Sequence, residues 1–138
     1  MTLKEFLNQG YHAKARIRAK EERIESWRQI AESITAQIRP DSAGSSLPSK
    51  KVEDCACNIV DLQNEIKEEI ATLVQAEREV GKFIKEAPLD ETDRFILELR
   101  YLNYKKWEEI AVELNYAYRW VMRRHKRAIA VLEELWPC

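Results

Sequence analysis

Glycine and proline are scarce in this chain, three and four in 138 residues, while Glu, Lys, Arg, Ala, Leu and Ile dominate. With so little turn punctuation, the chain is expected to be largely helical. No apolar run approaches the ~18 residues of a membrane-spanning helix, and the chain's start has no signal-peptide pattern. A soluble, cytoplasmic protein without membrane contact is therefore expected. The three cysteines, Cys55, Cys57 and Cys138, are an odd number and form no disulfide framework. Two residues apart on a helix, Cys55 and Cys57 point about 200° away from each other and cannot grip one metal ion. Reduced, mostly buried thiols follow. Nowhere does the sequence assemble a nucleophile–base pair, a metal-ligand set or a phosphate-binding loop. No enzyme activity, catalytic residue, metal or cofactor is expected.

What the chain has instead is charge and period. Charged residues make up 34%, both signs interspersed, with a formal net charge of −1, as solvated faces of amphipathic helices demand. Residues 39–49, rich in Ser, Gly and Pro, form a turn-rich linker between two long helical patterns. The first opens on Thr2-Leu-Lys-Glu5, a capping-box spacing, and carries a heptad repeat. One position holds Gly10, Ile17, Ile24, Ala31 and Ile38; the other holds Phe6, Ala13, Lys20, Trp27 and Ile34. The second pattern places Val52, Ile59, Ile66, Leu73, Val80 and Ala87 in one position and Cys55, Leu62, Glu69, Ala76 and Phe83 in the other. Residues 1–88 are expected to form a long antiparallel helical hairpin with coiled-coil packing. The same heptads would serve a homodimer, and both can hold at once. Matching small against large side chains pairs Phe6 with Ala87, Gly10 with Phe83, Ala13 with Val80 and Ile17 with Ala76. It continues with Trp27 and Ile66, Ala31 and Leu62, and Ile34 and Ile59. Lys20 and Glu69 then fall in adjacent layers, where a charge pair would fix register more than it would add stability.

Residues 89–138 differ in charge. Between Ala117 and Leu132 stand Arg119, Arg123, Arg124, Lys126 and Arg127, and no carboxylate. One cationic helix in a balanced chain points to a polyanion partner. Asp90 is expected to cap a helix running to about Leu102, with Glu91 and Asp93 in its first turn serving the helix dipole rather than acid–base chemistry. Phe95, Ile96, Leu99 and Leu102 should face inward. Residues 103–106 lead into a helix from Trp107 to Leu114, with Ile110, Ala111 and Leu114 inside. Asn115 suits the left-handed residue of a tight turn. The last helix begins near Ala117, and Val121, His125, Ala128, Ile129 and Leu132 form its core stripe. Tyr118, Arg119, Met122, Arg123 and Lys126 occupy the opposite face, with Arg124 and Arg127 on the flanks. His125 occupies a leucine-like position and is expected to be structural; His12 lies on an exposed face.

Leu99-Arg-Tyr, Trp107-Glu-Glu-Ile-Ala and Val121-Met-Arg-Arg resemble region four of bacterial sigma-seventy factors, which reads the upstream promoter element. The wider layout includes the hairpin, the linker before Asn58-Ile-Val-Asp-Leu-Gln-Asn-Glu-Ile66, and the C-terminal unit. It is similar to small proteins of Gram-positive phages and prophages related to the ArpU and RinA late-transcription regulators. The resemblance implies an all-α protein, a hairpin followed by a C-terminal three-helix helix-turn-helix domain (residues 89–138), acting in the bacterial cytoplasm. Departures limit the carry-over. Sigma region four has Gly at the position of Tyr104, a Thr cap at Lys106 and Ser at Ala117. Tyr118, Trp120 and Met122 replace small polar residues, so sigma base preferences do not transfer. The chain has no counterpart of the sigma regions that melt the promoter, and so is not a complete sigma factor.

Arg119 and Arg123, in the first turns of the last helix, are the candidates for base-edge contacts, with solvated surface charge as the plain alternative. Arg124, Lys126 and Arg127 are candidates for phosphates, and Lys105 and Lys106 for the backbone on the other side. Trp120 either touches DNA or packs against the hairpin. Five neutralised phosphates would give a log–log salt slope of about −4 to −5. The expected function is a DNA-binding transcriptional regulator whose partner is double-stranded DNA and whose hairpin dimerises or contacts RNA polymerase. Two alternatives are a packaging adaptor like a small terminase subunit, and a polymerase-binding module that does not read DNA.

Overall fold

The computed structural model describes residues 1–37 and 46–137. Its elements are α1 (Leu3–Leu7), α2 (Gln9–Gln37), α3 (Ser46–Glu86), α4 (Glu91–Tyr101), α5 (Trp107–Leu114) and α6 (Tyr118–Leu135). No strand occurs among the described residues, so the protein is all-α. None of the described helices is long and apolar enough to cross a membrane. Ile38, the linker residues 39–45 and Cys138 lie outside the described residues. The rest of the expected linker, residues 46–49, is already the first turn of α3. Pro48 is no obstacle there, because N–H groups of a helix's first turn have no intrahelical partner.

The chain divides into two compact units, Met1–His12 with Thr72–Cys138, and Ala13–Ala71. Within the second unit, Arg16 pairs with Glu69 (2.8 Å), and Lys20 lies 3.5 Å from Glu69 and 3.7 Å from Glu65. One turn forward along α2 thus corresponds to one turn back along α3, the order of antiparallel neighbours. The expected Lys20–Glu69 pair is present, and the Glu69 carboxyl is held below the usual range, first by the Arg16 hydrogen bond. Heptad positions follow burial: Ala13, Ile24, Cys55 and Leu62 are buried, and Ile17, Trp27, Ala31, Ile59 and Ile66 are half-buried. Cys57, off this stripe, is exposed rather than buried.

The first unit begins with the capping box the sequence specified. Thr2 N–H donates to Glu5 Oε2 (2.9 Å), and Glu5 N–H donates to Thr2 Oγ1 (3.2 Å). Leu3 and Leu7 of α1 join Val80, Ile84 and Ala87, Leu97 of α4, and Ala128 and Leu132 of α6 in one buried cluster. A second cluster holds Ile96 and Leu99, Ile110 and Ala111 of α5, and Val121 of α6, flanked by Trp107, Leu114 and Trp120. Because α4 feeds both clusters, Leu97 is buried and Phe95, expected inside, is 43% exposed. The C-terminal end of α3 is closed by Arg94, whose Nη2 donates to the carbonyls of Ala87 (3.0 Å) and Leu89 (3.2 Å), a cation placed where the helix dipole favours one.

The side-chain register at this end differs from size matching. Phe6 meets Phe83 (centroids 5.6 Å) and Trp136 (4.9 Å) in an aromatic group, since rings favour tilted and edge contacts. Gly10 instead receives Tyr104, from the connection between α4 and α5. A Cβ at Gly10 would overlap the Tyr104 hydroxyl and lie 3.0 Å from the carbon that bears it. Tyr104 itself has a left-handed backbone (φ 60), and its O–H donates to Glu77 Oε1 (2.8 Å). Gly10→Ala should therefore cost about 1–3 kcal/mol in urea denaturation. In a Tyr104→Gly background, which removes the overlap and the backbone strain, that cost should largely vanish. Equal costs in both backgrounds would show that the contact carries none of it.

Candidate nucleic-acid interface

The C-terminal helices present α6 from a packed base. Glu108 and Glu109 fill the first turn of α5, and Lys106 N–H donates to Glu109 Oε1 (3.3 Å). A lysine ammonium has no lone pair to accept the reciprocal bond, so only half of a capping box is closed. Asn115 ends α5 at φ 58, ψ 43, the left-handed turn expected of it, and Tyr116 N–H donates to Ala111 O (3.0 Å). α6 then starts after Ala117, which offers no side-chain cap. Val121, Ala128 and Leu132 are buried and His125 and Ile129 half-buried, as their spacing required.

The proposed contact residues separate into two groups. Arg119, Arg123 and Lys126 recur at four and three residues on the exposed face of α6 and have no carboxylate partner among the described residues. Tyr118 is exposed, Met122 half-buried, and Lys106, just before α5, exposed. Arg124, Arg127 and Lys105, by contrast, already hold carboxylates. Arg124 Nη2 is 3.1 Å from Asp90 Oδ2, and its Nε is 2.9 Å from Asp93 Oδ1, close enough for an ion pair without hydrogen-bond alignment. Its guanidinium also lies 4.9 Å from the centre of the Trp120 ring. Arg127 Nη2 donates to Asp90 Oδ2 (2.7 Å) and Asp93 Oδ2 (3.0 Å). Lys105 Nζ is 2.7 Å from Glu113. Trp120 packs beside Tyr116 (4.1 Å) and against the second cluster.

Asp90 caps α4 as expected, accepting from Asp93 N–H at 2.9 Å. The sequence did not reveal that Asp90 and Asp93 also clamp α6. Two acidic residues in one helix's first turn and a carboxylate-free helix elsewhere were the available signal.

His125 lies on the inner side of α6 and lines a groove of about 600 Å³ with Leu7, Tyr101, Trp107 and Ile129. Tyr101 O–H and His125 Nε2 are 2.7 Å apart, and the Trp107 ring is 4.4 Å away. Burial, with the nearby Arg100 charge adding to it, pushes the imidazole down to about 4 from its usual 6.5. A neutral ring hydrogen-bonded to the Tyr101 hydroxyl suits a structural role. Between those two values the unfolded chain binds a proton that the folded chain refuses, so stability rises with pH across that window. The urea midpoint should fall on going from about pH 7 to pH 5, and His125→Leu should flatten that fall. An undiminished fall in the variant would locate the titration elsewhere.

No protein-family model, curated protein or solved structure matches this chain.

Proposed function

We propose that the chain is a DNA-binding transcriptional regulator of the phage and prophage type. In this reading α6 enters the major groove of duplex DNA, and the long helices α2 and α3 dimerise or contact a partner such as RNA polymerase. The observation that carries it is the stripe of Arg119, Arg123 and Lys126, exposed and without carboxylate partners among the described residues, on a helix whose opposite face is locked in a core. A helix with an exposed cationic face suits the major groove, and Arg119 and Arg123 sit in its first turns, where base edges come closest. Lys126 and Lys106, both exposed, would meet phosphates in this reading. The left-handed Tyr104 stands where sigma region four has glycine, and the left-handed Asn115 at the turn before α6; both agree with that resemblance. Ile30, Val60 and Ile70 are exposed apolar residues on the long helices and offer surface for a second chain.

With Arg124, Arg127 and Lys105 internally paired, two of the five phosphate-directed cations remain, Lys126 and Lys106, and the salt slope should be about −2 instead of −4 to −5. The test is fluorescence anisotropy with duplex DNA from around the protein's own gene, across a salt series. Arg119→Ala/Arg123→Ala should lose about 30-fold or more of the preference over random sequence, because two arginine–guanine pairs are worth about 1–3 kcal/mol each. No binding even at low salt would sink the reading and favour a module that binds a protein partner.

A further inference from the structure

We infer that Asp90 determines specificity at the proposed DNA interface, by holding Arg127 and Arg124 away from phosphates and so restraining sequence-independent binding. This rests on the DNA-binding reading above. Two of the five cations of α6 converge on two carboxylates from the start of α4, with four N–O distances between 2.7 and 3.1 Å. The two carboxylates differ in setting. Asp93 is 3% exposed and fixed within the fold, whereas Asp90 is at the surface, as is Arg127. Arg127 follows Arg123 by one helical turn, so its guanidinium lies beside the exposed stripe and within the same approaching field. A DNA phosphate and the Asp90 carboxylate offer that guanidinium the same kind of oxygen acceptor, and only one can be closest.

The consequence follows from how the two parts of affinity arise. Phosphate neutralisation adds affinity for every sequence, while base-edge contacts add affinity for one. Withholding cations at the flank lowers binding to random DNA and leaves Arg119 and Arg123 untouched, so the ratio of specific to random binding rises. The Asp90 carboxyl is held below the usual carboxylate range, chiefly by the Asp93 backbone N–H and further by Arg124 and Arg127. It is therefore ionised wherever the protein meets DNA at neutral pH. Asparagine caps helices as well as aspartate does, so Asp90→Asn removes the charge and keeps the start of α4.

The experiment compares wild type, Asp90→Asn, Arg127→Gln and the double variant on random-sequence duplex and on duplex from around the gene, across a salt series. Thermal unfolding by circular dichroism checks that each is folded. Asp90→Asn should steepen the random-duplex slope by about one and tighten that binding about 10-fold at ~50 mM salt, narrowing the preference for the specific duplex. Adding Arg127→Gln should reverse most of that gain, while Arg127→Gln alone should change binding less than about twofold. A tightening that persists in the double variant would be a general charge effect and overturn the inference. So would wild-type binding with no response to Asp90→Asn, which leaves the DNA-binding reading standing; no binding by any variant overturns both. If Asp90→Asn is unfolded, Arg127→Gln in the wild-type background decides. A loss clearly above twofold means Arg127 already engages DNA and ends the proposal, and a smaller one supports it.

Discussion

The orientation of α6 is the constraint on which the first unit depends. Its apolar face is shared between two buried clusters, Val121 in one and Ala128 and Leu132 in the other. The partners of those clusters come from α1, α3, α4 and α5, so the helix is gripped from several directions. Turning α6 by one residue, about 100°, would carry Val121, Ala128 and Leu132 out of both clusters and bring Arg127 or Glu133 into the first. Burial of Val121 and of Leu132 is worth about 1.5–3 kcal/mol each, so losing both while burying an unpaired charge removes much of a domain's net stability of about 5–15 kcal/mol. The outward stripe of Arg119, Arg123 and Lys126 is thus fixed by what lies behind it, and no contact of their own is needed to aim them.

Tyr104 serves the same end by a different route. A non-glycine residue in the left-handed region costs of the order of 1 kcal/mol or more, and persists only where surroundings compensate. Here the ring fills the space left by Gly10, and the hydroxyl reaches Glu77. The connection between α4 and α5 is thereby tied to the start of α2 and to α3. A side chain at this position does what a glycine cannot, converting a tight turn into a packing contact. Gly10 is the matching half: a heptad position that stays empty so that a distant residue can enter.

What could be read from the sequence was whatever depends on local spacing. The Thr2–Glu5 box, the Asp90 cap, the Asn115 turn and the inner stripe of α6 each follow from residues within a turn or two of each other. The heptads likewise gave the buried faces of α2 and α3. What could not be read depends on contacts between distant segments. Phe6 meets Phe83 because Trp136 closes an aromatic group around them, and Phe95 turns outward because α4 serves two clusters, so that Leu97 takes an inward place. The candidate interface shows the same division. Arg119 and Arg123 were evident from charge and helical phase, whereas the pairing of Arg124 and Arg127 with Asp90 and Asp93 needs two helices to be brought side by side.

The charge arrangement also bounds what one copy can do. From Arg119 to Lys126 is seven residues, about 10 Å along a helix, or roughly three base pairs at about 3.4 Å each. On the proposed reading, two arginines over so short a span would carry little sequence information, and four cations would carry little affinity at physiological salt. A regulator built on this unit therefore gains its selectivity from a second contact, either another copy of α6 on the same duplex or a partner already bound there. If two copies are related by a two-fold axis, their recognition helices must meet successive major grooves, about 34–36 Å apart or a multiple of it. In that arrangement the restrained charge of α6 is an advantage, because two modest and selective contacts discriminate better than one strong and indifferent contact.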